Sequence, residues 1–438
     1  MIPLGLSDVA RLCPGELVAS ADTDAVTGVT IDSRLVAAGD LFVAVGRGRE
    51  YLAEARANGA AATLVPDDAF AALAALGSAV RERSGARVVG ITGSMGKTST
   101  KDILAALCRP HVRVVAAHAS YNAELGVPLT LCRLEEDTEL CVLELAMRGF
   151  GQIADLCAIA RPDVGAITNV GPVHLEFVES LAGVARAKAE LLESLPAGAT
   201  AVVPAGVPEL EPHLGRDDLT VVRVGEGGDV RLVERIEIDG GTRLAIDVGG
   251  ELVELELNFT APHQAANALV AVAVYRALGL PLDGAQRGAR EIVFSRWRGE
   301  EVPQPDGGLV INDCYNANPV SMRAALSLLV ARAGGRRRVA ILGDMAELGS
   351  SAAAFHREVG DAVADLGVDA LLAIGPLARG YAEGAERVPL VRWAASLDEG
   401  LELLPEVVRP GDCILVKGSR AMGLEAVVDA LAAVAATA

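Results

Sequence analysis

The stretch "VVGITGSMGKTSTKDIL", residues 88–104, decides how the rest of the chain is read. A short apolar, β-branched run enters a turn of small residues. Lys97 and the hydroxyls of Thr98 and Ser99 follow, and the pattern then turns helical. That order predicts a strand, a phosphate-cradling loop and a helix. It departs from the form G-x-x-x-x-G-K-[ST], because position 91 is Ile and the shorter "TGSMGKT" (92–98) stands in its place. The physics survives the change. Gly93 and Gly96 let the backbone around Ser94 and Met95 turn its N–H groups toward a phosphate, and the helix opening near Lys97 adds its positive end. Lys97 can contact terminal phosphates, and the Thr98 hydroxyl can ligate Mg²⁺. An ordinary Gly-rich turn is the plain alternative; the flanking strand and helix argue against it.

The bulk composition sets limits on what such a loop serves. The 438 residues suffice for two to four domains, and 51% are hydrophobic. With 58 acidic against 39 basic residues the formal net charge is −19, which argues against binding nucleic acid or an anionic membrane but leaves room for a local cationic pocket. Seven scattered cysteines (13, 108, 132, 141, 157, 314 and 413) contain no C-x-x-C, so reduced core thiols are expected rather than disulfides or zinc. The start "MIPLGLSDVARLC" lacks a signal-peptide pattern, and the longest apolar windows are too short to span a bilayer. A soluble cytoplasmic protein without membrane insertion is the expectation.

Outward from the loop, three blocks emerge: residues 1–86, 87–298 and 299–438. The first holds two strand candidates, "GVTIDSRLV" and "DLFVAV", followed by alternating helix and strand patterns. "AFAALAALGSAVRERSG" reads as an amphipathic helix with Arg81, Glu82 and Arg83 at its polar end. In the second, the short buried runs "VRVVAA", "LCVLELA", "VGAITNV" and "TAVVPA" alternate with helical stretches, which implies a parallel sheet covered by helices. From 221 to 259, "VRLVERIEI", "TRLAIDV" and "ELVELEL" switch to period two with Gly pairs between them, the signature of appended antiparallel hairpins. In the third block "GLVIND", "RRVAILGD", "DALLAIG" and "DCILVKG" are strand candidates, each followed by a helical stretch. The fold class expected is α/β in three domains: a small α/β N-terminal domain, a central P-loop parallel-sheet domain with appended antiparallel strands, and a C-terminal doubly wound Rossmann-like domain. Functional loops in such sheets lie at the carboxyl ends of the strands.

Three side chains beyond the loop then matter. Glu144 ends the strand "CVLEL", where a carboxylate can meet a metal held by Thr98. His174 follows the strand "VGAITNV". Lys188 sits in the helical "GVARAKAELL", where a plain surface lysine is the default reading.

At this point the chain resembles the Mur ligases of peptidoglycan synthesis, and among them the type that adds D-alanyl-D-alanine to UDP-N-acetylmuramoyl-tripeptide. The resemblance runs through nearly the whole sequence: "TIDSRLVAAGDLFVAV" (30–45), "TGSMGKTSTKD" (92–102), "NAELGVPLTL" (122–131), "LELAMRGFGQI" (143–153), "ITNVGPVHLE" (167–176), "ARAKAE" (185–190), "HQAAN" (263–267), "NDCYNANPVSM" (312–322), "LGDMAELG" (342–349) and "LVKGSRAMGLE" (415–425). It implies an ATP-dependent carboxylate–amine ligase that works through an acyl phosphate with Mg²⁺. It further implies that Gly93, Ser94, Met95, Gly96, Lys97, Thr98 and Ser99 hold the ATP phosphates, and that Lys97 reaches the outermost one. Thr98 and Glu144 would hold one Mg²⁺ and His174 a second. Lys188 matches a lysine that is carbamylated by CO₂, turning a cation into an anion able to approach the metal. Asn267 would face adenine, with Arg298 and Asp313 near the phosphates and ribose. Asp32, Ser33 and Arg34 would meet the uridine diphosphate end, Asn122 and Thr130 the muramoyl-peptide, and Asn316, Asn318, Lys417, Ser419 and Arg420 the dipeptide or the closing of the third block. A monomer is expected.

The sequence departs from the pattern at "GRGREYLAEA", where a longer loop with an Asp-Gly-His element usually stands, and at Gln264, which replaces the usual Asn. Two alternatives stay open at this stage: another carboxylate–amine ligase of the superfamily, such as an earlier-step Mur ligase or a folate polyglutamylating enzyme, and a non-catalytic nucleotide-binding scaffold. A GTPase switch is disfavoured, since no N-K-x-D string occurs.

Overall fold

The computed structural model describes residues 1–20, 23–118 and 121–435. These divide into two compact units. One comprises 1–169, 185–260 and 265–293; the other comprises 170–184, 261–264 and the chain from 294 onward.

In the first unit, the phosphate-loop strand Arg87–Thr92 lies inside a nine-stranded sheet. It pairs in parallel with Leu140–Glu144 on one side and Val164–Ile167 on the other. Beyond these, Val114–Ala116 forms one edge, while Thr200–Pro204 and Thr220–Val224 extend the parallel run on the other side. Val230–Ile238, Gly241–Val248 and Glu251–Leu257 then close the sheet as antiparallel hairpins. The period-two signal of this last region is thus met by three strands. Thr220–Val224 carries little signal of its own, because its short "TVVRV" sits where the pattern changes.

A four-stranded sheet precedes this one in the same unit. Gly28–Thr30, Asp40–Val43 and Ala62–Pro66 are parallel, and Gly15–Ala19 adds an antiparallel edge. The helix Ala69–Arg83 is started by Asp68, whose carboxylate accepts the amides of Phe70 and Ala71. It buries Ala72, Leu73, Leu76 and Val80. At Gly77 it meets the helix Gly126–Leu131 so closely that a Cβ would sit 2.8 Å from Pro128 Cα. Its Arg81 is not a solvent-facing end. The guanidinium is largely buried and donates to the carbonyls of Ala86, Ala160 and Arg161 and to Asp163.

The second unit carries a six-stranded sheet. Leu309–Asn312, Cys413–Lys417, Arg338–Gly343, Ala370–Ile374 and Leu390–Ala394 are parallel in that spatial order, and Glu300–Pro303 is an antiparallel edge. Apolar residues cover both faces: Leu326, Leu342 and Tyr381 belong to one core, and Ile341, Leu372 and Val427 to the other. That two-sided burial produces the uninterrupted apolar strings read in the sequence.

All seven cysteines are buried and free. Burial pushes the thiols of Cys108, Cys132, Cys141 and Cys157 up to about 12, so they act as small apolar side chains rather than nucleophiles. Among the described residues, no helix is long and apolar enough to cross a membrane.

Candidate active site

The phosphate loop leaves the strand Arg87–Thr92 through Gly93, whose φ is +148°. A side chain there would strike the Thr168 hydroxyl at 1.9 Å. The loop is tied to the neighbouring strand end. Asn169 Oδ1 accepts the amides of Ser94 (3.1 Å) and Met95 (3.0 Å), and Thr168 Oγ1 donates to the Met95 carbonyl (2.5 Å). Gly96, at φ +78°, caps the helix Lys97–Cys108, and an added Cβ would lie 2.1 Å from Asn267 Oδ1. Only glycine accepts both that backbone angle and that approach. Lys97 Nζ donates to the Gly93 carbonyl at 2.7 Å, folding its side chain back over the loop. Ser99 is buried in the first turn.

Thr98 and Glu144 come together as the sequence suggested. Thr98 Oγ1 donates to Glu144 Oε2 at 2.9 Å, and Asn122 Nδ2 donates to Glu144 Oε1 at 2.9 Å. Glu144 is only 1% exposed. Lys188, on the helix Leu181–Glu193, is not a surface lysine: it is 2% exposed. Burial, and secondarily the positive charge of Lys97, hold its amine well below the ordinary lysine range. Both influences favour the neutral amine.

His174 belongs to the second unit, whereas Thr98, Glu144 and Lys188 belong to the first. His174 takes φ +54° and caps the short helix Leu175–Val178. Its Nδ1 lies 2.5 Å from Glu347 Oε2, and Glu347 is itself at φ +61°. Each left-handed non-glycine residue costs about 1–2 kcal/mol, so two of them joined by a short side-chain hydrogen bond mark a place where the surrounding structure imposes the conformation.

Elsewhere in that unit Lys417 Nζ donates to Asp313 (2.6 Å) and to the Asn316 carbonyl (2.9 Å). The Arg298 guanidinium lies 3.9 Å from the Tyr315 ring centroid. His263 Nδ1 is a buried atom with no hydrogen-bond partner among the described residues, and Asp313 and Lys417 are near enough to act on its charge. Arg420 pairs with Glu425 and lies over the Trp297 ring.

Several residues expected at ligands also have structural partners of their own. The Thr130 hydroxyl is buried and donates to the Gly126 carbonyl of its own helix. Asn318 forms a capping box with Ser321 at the start of the helix Pro319–Arg332. Ser419, also buried, accepts the Ala346 amide. Asp32 caps the turn Ser33–Leu35 and pairs with the exposed Arg34, while the Ser33 hydroxyl donates to Glu54. The sequence reading missed Asn169 and Glu347. Both lie in strings that carry the resemblance, "ITNVGPVHLE" and "LGDMAELG", but neither string names a partner.

These features define a phosphate-loop α/β protein with a buried carboxylate and a buried lysine beside the loop. Residues 91–275 match the Mur ligase middle domain, and residues 297–420 match the Mur ligase glutamate ligase domain. A UDP-N-acetylmuramoyl-tripeptide–D-alanyl-D-alanine ligase of Mycobacterium tuberculosis is 35% identical across 99% of this chain and 98% of that one. The crystal structure of MurF from Acinetobacter baumannii is similar at a TM-score of 0.84, with 28% identity and 98% of each chain covered. MurF ligase from Thermotoga maritima, solved in complex with ADP, is similar at 0.79, with 28% identity over 94% of this chain and 98% of that one. The chain belongs to the Mur ligase family.

Asn169 gives the loop its fixed shape, so Asn169→Ala is expected to lower stability by about 1–3 kcal/mol. Amide hydrogen exchange at Ser94 and Met95 should accelerate accordingly. Unchanged exchange at both amides would contradict this account of the loop.

Proposed function

We propose that this chain is the ATP-dependent ligase that joins D-alanyl-D-alanine to UDP-N-acetylmuramoyl-tripeptide in peptidoglycan precursor synthesis, acting in the cytoplasm as a monomer. The observation that carries this reading is the 35% identity over 99% of the chain to a ligase of that name. A carboxylate is a poor acyl donor. The terminal carboxylate of the tripeptide therefore takes the γ-phosphoryl group, and ADP leaves. The amine of the dipeptide then attacks the acyl carbon, phosphate departs with one former carboxylate oxygen, and the amine gives up its proton.

Bringing anions together is the difficult part, and cations with fixed dipoles meet it. Lys97 would exchange the Gly93 carbonyl for an outer phosphate oxygen, with the loop amides and the helix end behind it. Asn267 would face the adenine, with Arg298 and Asp313 toward the phosphates and ribose. Asp32, Ser33 and Arg34 would meet the uridine diphosphate end, and Asn122 the muramoyl-peptide. Thr130 would join Asn122 at the muramoyl-peptide, and Asn316, Asn318, Lys417, Ser419 and Arg420 would serve the dipeptide end or the closing of the third block.

Mg²⁺ fits the donors. Among the described residues no three His, Cys, Asp or Glu side chains form a ready cage. Mg²⁺ commonly takes one or two carboxylates and completes its shell with water and substrate phosphates. Thr98 and Glu144, already in contact through oxygen atoms, would hold one ion. His174 would hold a second, and carbamylation would make Lys188 an anion able to approach a metal. Bound there, Mg²⁺ would neutralise charge between phosphate and carboxylate. A buried, neutral Lys188 amine suits carbamylation, because CO₂ reacts with the unprotonated form.

Incubation with ATP, Mg²⁺, UDP-N-acetylmuramoyl-tripeptide and a panel of D-alanyl-D-alanine, glutamate and single D-amino acids tests the activity. Mass analysis should show extension by the dipeptide alone; extension by glutamate or by a single amino acid would favour the sister ligases. Lys188 provides a second test. Its folded-state value lies below the ordinary 10.5, so the unfolded chain binds the extra proton and wild-type stability rises with pH up to about that value. In CO₂-depleted buffer Lys188→Met should be more stable than wild type at neutral pH, with the gap closing as pH approaches 10.5. It should also lose about 10²–10³-fold in kcat. A gap that does not vary with pH would contradict the buried-amine reading.

A further inference from the structure

The segment 344–349 of the second unit is built with unusual care for a loop. Asp344 is buried, and its Oδ1 accepts the Ala378 amide at 2.7 Å while its carbonyl accepts the Ser419 amide at 3.0 Å. The next amide, Met345, donates to His356 Nε2 at 3.0 Å, and the one after it, Ala346, donates to Ser419 Oγ at 2.9 Å. His356 is itself fixed, with its Nδ1 2.6 Å from the Ala352 carbonyl and its ring against Tyr381. Three successive residues are thus anchored on the sheet and its helices before the chain reaches Glu347.

Glu347 then turns into the left-handed region, as does Gly349 two residues on. An added Cβ on Gly349 would lie 3.4 Å from Glu176 Cα, so the loop passes directly over the short helix that His174 caps. At the end of this frame the Glu347 carboxylate meets His174 Nδ1 at 2.5 Å, with both side chains about a quarter exposed.

The structure assigns Glu347 as the positioning residue of His174: it fixes the imidazole's tautomer and direction from a loop anchored by Asp344, His356 and Ser419. An ionised carboxylate only accepts hydrogen bonds, so Nδ1 must carry the proton and donate. In the neutral ring the lone pair is then on Nε2. A carboxylate behind a histidine in this way orients the ring and raises the basicity of its outer nitrogen, whichever ligand that nitrogen meets. This inference rests on the reading of His174 as an active-site ligand only for its catalytic consequence; the tautomer assignment stands by itself. It also gives the strings "LGDMAELG" and "KGSRAM" a shared purpose, since Ser419 of the second holds the loop of the first.

The test uses the full-length protein labelled with ¹⁵N-histidine, whose six histidines can be resolved in a long-range ¹H–¹⁵N correlation. His174→Asn identifies the His174 signal by its loss. Glu347→Asn removes the carboxylate with a residue that tolerates a left-handed backbone and is too short to reach the ring. Glu347→Gln keeps an acceptor at full length. The wild-type His174 ring should show the Nδ1–H pattern. Glu347→Asn should shift it to a mixture or to Nε2–H and lower kcat about 10–100-fold with KM for the dipeptide little changed, and Glu347→Gln should restore much of both. An unchanged His174 tautomer in folded Glu347→Asn would overturn the assignment, as would loss of kcat in both variants without any movement of the ring signals. If His174→Asn keeps full activity, the active-site reading of His174 falls, and the ring signals still decide the role of Glu347.

Discussion

The nucleotide side of this protein depends on a carboxylate placed inside it. Glu144 sits at the end of a central strand with 1% of its surface exposed, and burying such a group is costly unless its oxygens are hydrogen-bonded. One oxygen accepts from Thr98, in the first turn after the phosphate loop, and the other from Asn122. The same two contacts align the loop helix with the strand end and bring the chain around residue 122 to it. Lys188, buried nearby in the same unit and held toward its neutral form, belongs to this arrangement. A strongly acidic protein thereby keeps some of its cationic groups in a few protected places.

Much of this was legible in the sequence because the relevant signals are local. Gly93 and Gly96 announced a backbone that other residues cannot adopt, and the structure shows both a left-handed or extended-positive φ and a close approach at each. Buried parallel strands announced themselves as apolar strings, since helices or loops cover both faces. What stayed hidden was pairing at a distance. Nothing in "ITNVG" says that Asn169 will take two amides of a loop 74 and 75 residues earlier. Nothing in "GDMAELG" says that Glu347 will meet a histidine 173 residues away. Edge strands were also missed: Gly15–Ala19 and Glu300–Pro303 are exposed on one or both faces and carry polar residues, so their composition resembles that of loops.

The residues proposed to serve one reaction are divided between two units. The loop, Glu144, Lys188 and Asn267 belong to one, and His174, Arg298, Asp313 and Lys417 to the other. Within the second unit several motif residues act first as structure, as with Asn318 at a helix cap and Ser419 under the Glu347 loop. That structural role could not be read from residue identity alone.

The central claim is that the peptide carboxylate is phosphorylated before the amine replaces an oxygen. It is tested most directly by supplying UDP-N-acetylmuramoyl-tripeptide with both oxygens of its terminal carboxylate labelled with ¹⁸O, together with ATP, Mg²⁺ and D-alanyl-D-alanine. The account predicts that one ¹⁸O appears in the released inorganic phosphate and the other remains in the new amide. Unlabelled phosphate alongside a correctly extended product would contradict it.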